Sequence, residues 1–277
     1  MTCKIVDGNA IADRFLAQTK KYIEEHKIRP KLATVLVGSD PASETYVNIK
    51  KKTCESAGIS VDIYKIEPNA KKLEELIGKL NKDQDANGIL VQLPLPKDIN
   101  TQKTIEMIDP LKDVDGIHPI NLGRLAYGDE SAPACTPYGI VKILEEENIE
   151  LSGANVAIIG RGVHVGKPLY SLLYNRNCTV TMCHTKTKNS DRITREADIV
   201  IVAVGKPNYL NADMIKDGAV VIDVGINKVG GKLVGDADPS VIQKASVLTP
   251  VPGGVGPMTV AMLAQNTLNA YIRQNEK

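Results

Sequence analysis

The chain has no tryptophan and only one phenylalanine among its 277 residues. Aromatic platforms on which single-stranded nucleic acid would stack are therefore scarce. It also lacks a strong charge balance. The formal net charge is +1, which argues against a nucleic-acid partner or an anionic membrane attracted through bulk electrostatics. Cysteine pairs are missing too. Cys3, Cys54, Cys135, Cys178 and Cys183 form no CxxC and are odd in number, and the four histidines are scattered. That pattern gives neither a disulfide framework nor a zinc site, so no metal is expected and reduced thiols are. No apolar run approaches the length of a membrane span. The first residues, MTCKIVDGNAIADRF, hold no apolar signal core. The expectation is a cytoplasmic protein.

What is present is an ordinary soluble composition, 43% hydrophobic and 24% charged, in a chain long enough for two cores. Asp7–Glu25 reads as an amphipathic helix. Leu32–Gly38, Val61–Glu67 and Gly88–Pro96 read as strands, the last ended by prolines, and Lys71–Asn81 as a helix. Strand, helix, strand, helix, strand is the rhythm of a parallel α/β sheet, which takes its ligands at the carboxyl ends of the strands.

The helix between the first two strands matters most. Asp40-Pro41 is an N-cap followed by proline at the first helical position. Tyr46 and Lys50 then stand four residues apart, on one face. An aromatic wall beside a partly desolvated ammonium suits a flat substrate whose reaction moves a proton. The run Lys50-Lys51-Lys52, taken alone, reads equally well as a solvated face. Gln92 precedes Leu93-Pro94-Leu95-Pro96, where a rigid loop would aim its amide at a ligand; a surface glutamine before a turn is the other reading. Asp113, Asp115 and Gly116 form a turn without the further ligands of a calcium loop. Asp115 is left free to bind the donor face of a heterocycle. His118 has no evident partner. Cys135 has nothing beside it to activate a thiolate and reads as packed structure.

Tyr138–Asn148 reads as a bridging helix, after which Asn155–Ile159 runs into Gly160-x-Gly162-x-x-x-Gly166 and another helix. Glycines there admit a pyrophosphate to a helix N-terminus, although any α/β protein can carry such a turn. Where an NAD-binding domain would place an acidic residue for the ribose, this chain has His184-Thr185-Lys186-Thr187-Lys188. With Arg161 in the glycine loop, that favours NADP over NAD. Cys178–Cys183, Asp198–Gly205 and Ala219–Ile226 are further buried strands of a second sheet. Pro250, Pro252, Gly253, Gly254, Gly256 and Pro257 make an unusual loop before a long helix from Thr259 to about Arg273.

Together and in this order, Tyr46-Val47-x-x-Lys50, Val91-Gln92-Leu93-Pro94-Leu95-Pro96, Asp113-Val114-Asp115-Gly116, Cys135-Thr136-Pro137, Gly160-Arg161 through Val165-Gly166-x-Pro168 and Pro252–Thr259 resemble the bifunctional methylenetetrahydrofolate dehydrogenase/methenyltetrahydrofolate cyclohydrolase family. The resemblance spans essentially the whole chain. It implies two doubly wound α/β domains with a folate cleft between them, the second a Rossmann-like NADP-binding domain. The first would be residues 1–125, completed by the C-terminal helix 257–277, and the second residues 135–250. By resemblance Lys50 is the catalytic lysine and Tyr46 stacks near the pterin. Gln92 and Asp115 complete the site, Val91 and Leu93 flank it, and Pro252, Gly253, Gly254 and Gly256 line the folate pocket. Gly160, Arg161, Gly162, Gly166, Thr185 and Ile226 fall to NADP, and a homodimer is implied. The family commonly has Ser where this chain has Gly162 and Thr185. Threonine keeps the hydroxyl, whereas Gly162 removes a hydrogen bond to the pyrophosphate and permits a closer backbone approach.

Overall fold

The computed structural model describes residues 2–275; Met1 and the last two positions of the expected helix 257–277 lie outside them. In chain order the elements are β1 (Lys4–Ile5), α1 (Gly8–His26), β2 (Lys31–Val37), α2 (Pro41–Ser56), β3 (Ser60–Ile66), α3 (Ala70–Lys82), β4 (Gly88–Val91), α4 (Thr101–Glu106), α5 (Pro119–Ala126) and α6 (Cys135–Glu146). There follow β5 (Asn155–Ile159), α7 (Gly166–Tyr174), β6 (Thr179–Cys183), α8 (Ser190–Glu196), β7 (Ile199–Val202), β8 (Val220–Asp223), β9 (Asn227–Val229), β10 (Lys232–Val234), β11 (Val247–Leu248) and α9 (Val255–Asn275).

The chain divides into two compact units. One holds Asp13–Cys135 and the chain from Val260 onward. Its sheet is parallel throughout, in the order β3-β2-β4. β2 is central and reads KLATVLV, buried from Leu32 to Val37, the near-continuous apolar run that a strand covered on both faces requires. α3 lays Leu73, Ile77 and Leu80 against Ala33, Val35, Ile89 and Val91 of the sheet. Residues three and four apart fall on one side of the helix, so its three buried positions form a single stripe.

The other unit holds residues up to Ala12 with Thr136–Thr259. Its six strands run β1-β11-β8-β7-β5-β6, all parallel. β5, β7 and β8 carry VAII, IVIV and VVI runs that are fully buried. The chain leaves β5 to one side for β6 and returns on the other for β7. The point where the order reverses therefore lies between β5 and β7, where loops part to leave room for a ligand. β9 and β10 form a separate antiparallel hairpin.

Several boundaries differ from the sequence reading for local reasons. The strand expected over Gly88–Pro96 stops at Val91, where the Leu93-Pro94 segment can no longer donate to a ladder. α9 begins at Val255, four residues before the expected Thr259. α4, α5 and α8 are short helices absent from the sequence reading. α5 starts at His118, whose Nδ1 accepts the amide of Ile120 at 3.1 Å. The histidine without an evident partner is thus an N-cap. β1, counted with the first domain in sequence, pairs with β11 in the six-stranded sheet.

Candidate active site

α2 is started as the sequence requires. Asp40 Oδ2 accepts both the amide and the hydroxyl of Ser43 at 2.8 Å, and Pro41 opens the helix. Those hydrogen bonds hold the Asp40 carboxyl below its usual range. Ser43, Val47 and Cys54 form the buried side of the helix, and burial pushes the Cys54 thiol up to about 12. The lysine run then separates by role. Lys51 faces Glu55 at 3.7 Å and Lys52 is exposed. Half-buried Lys50 instead turns toward the sheet and donates from Nζ to Gln92 Oε1 at 2.9 Å. Tyr46, one turn earlier, leaves 42% of its surface open.

Gln92 is placed by backbone and side chain together. Its amide donates to Val35 O at 2.9 Å, extending the ladder one residue past β4. Its Nε2 donates to Leu93 O at 2.6 Å. With the NH₂ end so occupied, the carbonyl end is left facing Lys50. Val91 is buried and Leu93 half-buried, and Leu93-Pro94 is cis.

Asp115 sits on a turn that is held from several directions. Asp113 is 1% exposed and accepts the amides of Gly116 and His118 and the side-chain amide of Asn121, at 2.9 to 3.0 Å. Burial outweighs these bonds and raises its carboxyl. Gly116 adopts φ +73°, and a Cβ there would lie 2.4 Å from the backbone of Pro133. Cys135 N donates to Asp115 O at 3.2 Å. From α9, Asn266 Nδ2 reaches Val114 O at 3.0 Å and Pro133 O at 2.8 Å. Cys135 is fully buried and its Sγ donates to Val114 O at 3.1 Å. Its thiol is raised well above the usual value, first by burial and then by Asp115, while Lys50 pulls the other way. Asp115 and Lys50 thus act on that buried thiol in opposite senses. Cys135 is the packed cysteine the sequence suggested.

The glycine loop lies in the other unit. Gly160 has φ +123°, and a Cβ on it would stand 2.2 Å from Ala203 O. A Cβ on Gly166 would meet Gly160 O at 2.1 Å. Gly162 has open space on every side. α7 opens at Gly166 behind Val165, which supplies no side-chain cap; within its first turn Lys167 N donates to Gly162 O at 3.0 Å, Pro168 has no N–H, and Leu169 N donates to Val165 O at 3.0 Å. Gly160 N donates to Cys183 O, joining the glycine loop to the end of β6. Thr185 and Arg161 are exposed, and Ile226, past β8, is 50% exposed. The residues that sequence reading gave to a dinucleotide thus occupy the carboxyl ends of β5, β6 and β8. A backbone that admits no Cβ at two glycines, where β5 turns into α7, fits the close approach of a pyrophosphate.

The Pro252–Gly256 loop is in this same unit. Gly254 is close-packed on Pro250 O, Gly253 has φ +97°, and a Cβ on Gly8 would meet Gly254 O at 2.0 Å. Pro252 and Gly256 are exposed. The structure accordingly gathers Tyr46, Lys50, Val91, Gln92, Leu93 and Asp115 in one unit, and the glycine loop, Thr185, Ile226 and Pro252–Gly256 in the other. Asp113 entered the sequence reading only as part of a turn, and Asn266 had no place in it, because its partners Val114 and Pro133 lie 152 and 133 residues away. Among the described residues no group of three His, Cys, Asp or Glu side chains is arranged to hold a metal ion, and no helix is long and apolar enough to cross a membrane.

Comparison with known proteins shows the family. Residues 6–115 match the catalytic domain, and residues 134–275 the NAD(P)-binding domain, of tetrahydrofolate dehydrogenase/cyclohydrolase. The chain belongs to the tetrahydrofolate dehydrogenase/cyclohydrolase family. The bifunctional protein FolD of Aliarcobacter butzleri is 52% identical over 275 residues, covering 96% of each chain. The crystal structure of the bifunctional FolD enzyme of Campylobacter jejuni superposes with a TM-score of 0.95 at 45% identity, covering 98% of this chain and 99% of that one. The Trypanosoma brucei enzyme, solved with NADP cofactor and an inhibitor, gives 0.93 at 34% identity over 100% of both chains.

Proposed function

We propose that the protein oxidises 5,10-methylenetetrahydrofolate to 5,10-methenyltetrahydrofolate with NADP+ and then hydrolyses that product to 10-formyltetrahydrofolate. The observation that carries this reading is the Lys50–Gln92 hydrogen bond at the carboxyl end of β4. Family membership, and relatives named for both activities, support it.

In the dehydrogenase step NADP+, when bound, supplies the hydride acceptor. The product cation is shared between the two nitrogens flanking the one-carbon bridge, so no base is required and positioning supplies most of the acceleration. Tyr46 would stack on the pterin and Asp115 accept hydrogen bonds from its donor edge. Val91, Leu93 and the segment Pro252, Gly253, Gly254 and Gly256 would contact the folate. Gly160, Arg161, Gly162, Gly166, Thr185 and Ile226 would receive the dinucleotide, with Arg161 and the Thr185 turn favouring a 2′-phosphate.

Hydrolysis is different because protons must move. Water adds to the methenyl carbon, and the bond from that carbon to N5 then breaks. Lys50 is the proton shuttle in this reading. Gln92 fixes the ammonium by accepting its hydrogen bond and polarises the water. The folate-binding domain of residues 1–125 with the terminal helix 257–277 would begin structurally at Asp13, since β1 belongs to the sheet of the NADP-binding domain, residues 135–250. We further take the protein to be a cytoplasmic homodimer, in keeping with its five free thiols and with the family.

The test is an absorbance assay with 5,10-methylenetetrahydrofolate and either NADP+ or NAD+, with methenyl-folate followed directly without acid, because acid closes 10-formyltetrahydrofolate back to it. Reduced cofactor without methenyl build-up is the expected result. Hydrolysis of added methenyl-folate with no reduction of either nucleotide would reduce the protein to a cyclohydrolase alone.

A further inference from the structure

Asp236 lies between β10 and β11, is 0% exposed and had no role in the sequence reading. Its Oδ2 accepts the amides of Val204 at 2.6 Å and Gly205 at 2.9 Å. Its Oδ1 accepts the amide of Lys206 at 2.8 Å and the side-chain amide of Asn227 at 2.9 Å. One buried carboxylate thus collects three consecutive backbone amides of the loop that leaves β7. That loop is one wall of the point where the strand order reverses. It also begins at Ala203, whose carbonyl leaves no room for a side chain on Gly160.

The carboxylate is itself built in. Its backbone amide donates to Asp223 Oδ1 at 2.8 Å, and Asp223 Oδ2 accepts Ala237 N at 2.9 Å. Gly225 and Gly235 lie where any Cβ would strike a carboxylate, that of Asp236 for the first and that of Asp223 for the second, at 2.1 and 1.7 Å. Two glycines are thus spent on making room for two acids, more than a surface turn demands. Val204 and Gly205 are exposed although their amides point inward, so the outer side of the loop is free for a ligand.

We propose that Asp236 is a positioning residue for the dinucleotide: it fixes the Val204–Lys206 loop, and through Ala203 the glycine loop, in the shape that receives the cofactor. This rests on the NADP-binding reading above. Asparagine at 236 is the diagnostic change, because an amide offers one acceptor where the carboxylate offers two. Whichever way it turns, two of the four donors face an NH₂ group.

The experiment measures Asp236→Asn with NADP+ varied at saturating 5,10-methylenetetrahydrofolate, and separately its hydrolysis of 5,10-methenyltetrahydrofolate. The expected result is a KM for NADP+ raised roughly tenfold to a hundredfold. Dehydrogenase kcat should stay within about twofold, and hydrolysis should be unchanged. An unchanged KM for NADP+ in a folded variant overturns the proposal. So does equal loss of both reactions, which would make Asp236 a support of the fold at large. Wild-type protein that reduces no NADP+ sinks the functional reading itself and is recognised by that control. If the variant does not fold, hydrogen exchange of wild-type protein decides. Saturating NADP+ should slow exchange across Ala203–Lys206, and an unaltered rate there overturns the proposal.

Discussion

Lys50 and Gln92 lie 42 residues apart in sequence, on α2 and just past β4, and meet through a single hydrogen bond of 2.9 Å. The glutamine cannot turn its amide over without losing its own bond to Leu93 O. The ammonium is therefore met by an oxygen whose direction the backbone has set. In the proposed mechanism a lysine so held serves one proton-transfer step rather than general attraction of anions.

The two reactions should accordingly separate on mutation. Lys50→Met is expected to lower methenyl-folate hydrolysis roughly 10²–10⁴-fold, the contribution of a placed acid–base group, while part of the dehydrogenase activity remains. Gln92→Leu should lower hydrolysis less, by roughly tenfold, since the lysine stays but loses its direction. Parallel assays of both reactions check this. Equal loss of both, with folate affinity unchanged, would contradict the division of labour.

Asn266 should behave as part of the Asp115 turn although it sits on the last helix. Asn266→Ala leaves the carbonyls of Val114 and Pro133 without their shared donor, a cost of about 2 kcal/mol. Chemical denaturation should register that loss, and KM for the folate should rise more than KM for NADP+. A variant with reduced stability but unaltered folate KM would detach Asn266 from the site.

The glycines of the nucleotide loop should not be equivalent. Gly162→Ser places a side chain in open space, so stability is expected to be unchanged and KM for NADP+ to fall as a hydroxyl becomes available. Gly160→Ala meets both a positive φ and the Ala203 carbonyl. It should cost about 2 kcal/mol or more and remove nucleotide binding. Thermal melts with and without NADP+ distinguish the two.

Asp223 gives a pH dependence of defined sign. Burial raises its carboxyl to about 6, against the hydrogen bonds from Ala237, Asp236 and Gly225 that favour ionisation. A carboxyl raised on folding binds its proton more tightly in the native state. It therefore contributes stability below the unfolded value near 3.8, and that contribution is lost as pH rises through 6. Stability of the wild type should increase between pH 7 and pH 5, and Asp223→Asn should remove that increment. Asp113, raised by burial in the same direction, leaves a slope of like sign in both proteins. Denaturant midpoints measured across this range provide the check.

Much of this was legible in the sequence where a local rule applied. β2, β5, β7 and β8 announce themselves because a strand covered on both faces must be apolar at every position. Asp40-Pro41 fixes the start of α2, and the four-residue spacing of Tyr46 and Lys50 fixes their shared face. The motifs in register pointed to the family before any coordinate. What stayed hidden depends on long-range partners. Asp236 and Asp223 act by accepting backbone amides, which leave no periodic trace, and the glycines that make room for them look like ordinary turn residues. His118 caps a helix, a role in which serine, threonine, aspartate and asparagine are the expected types. β1 is only two residues long and belongs to a sheet whose other strands begin at Asn155.

That short first strand bears on how the protein emerges from the ribosome. Lys4 is made well before its ladder partner, Val247. Asn266 likewise closes on Val114 across 152 residues of chain. Neither unit can finish until β11 and α9 have been synthesised, and closing such large loops early is entropically unfavourable. A nascent chain halted before β11 would carry an open sheet edge and an untethered Asp115 turn. Such partly finished chains are the ones that chaperones shield from aggregation.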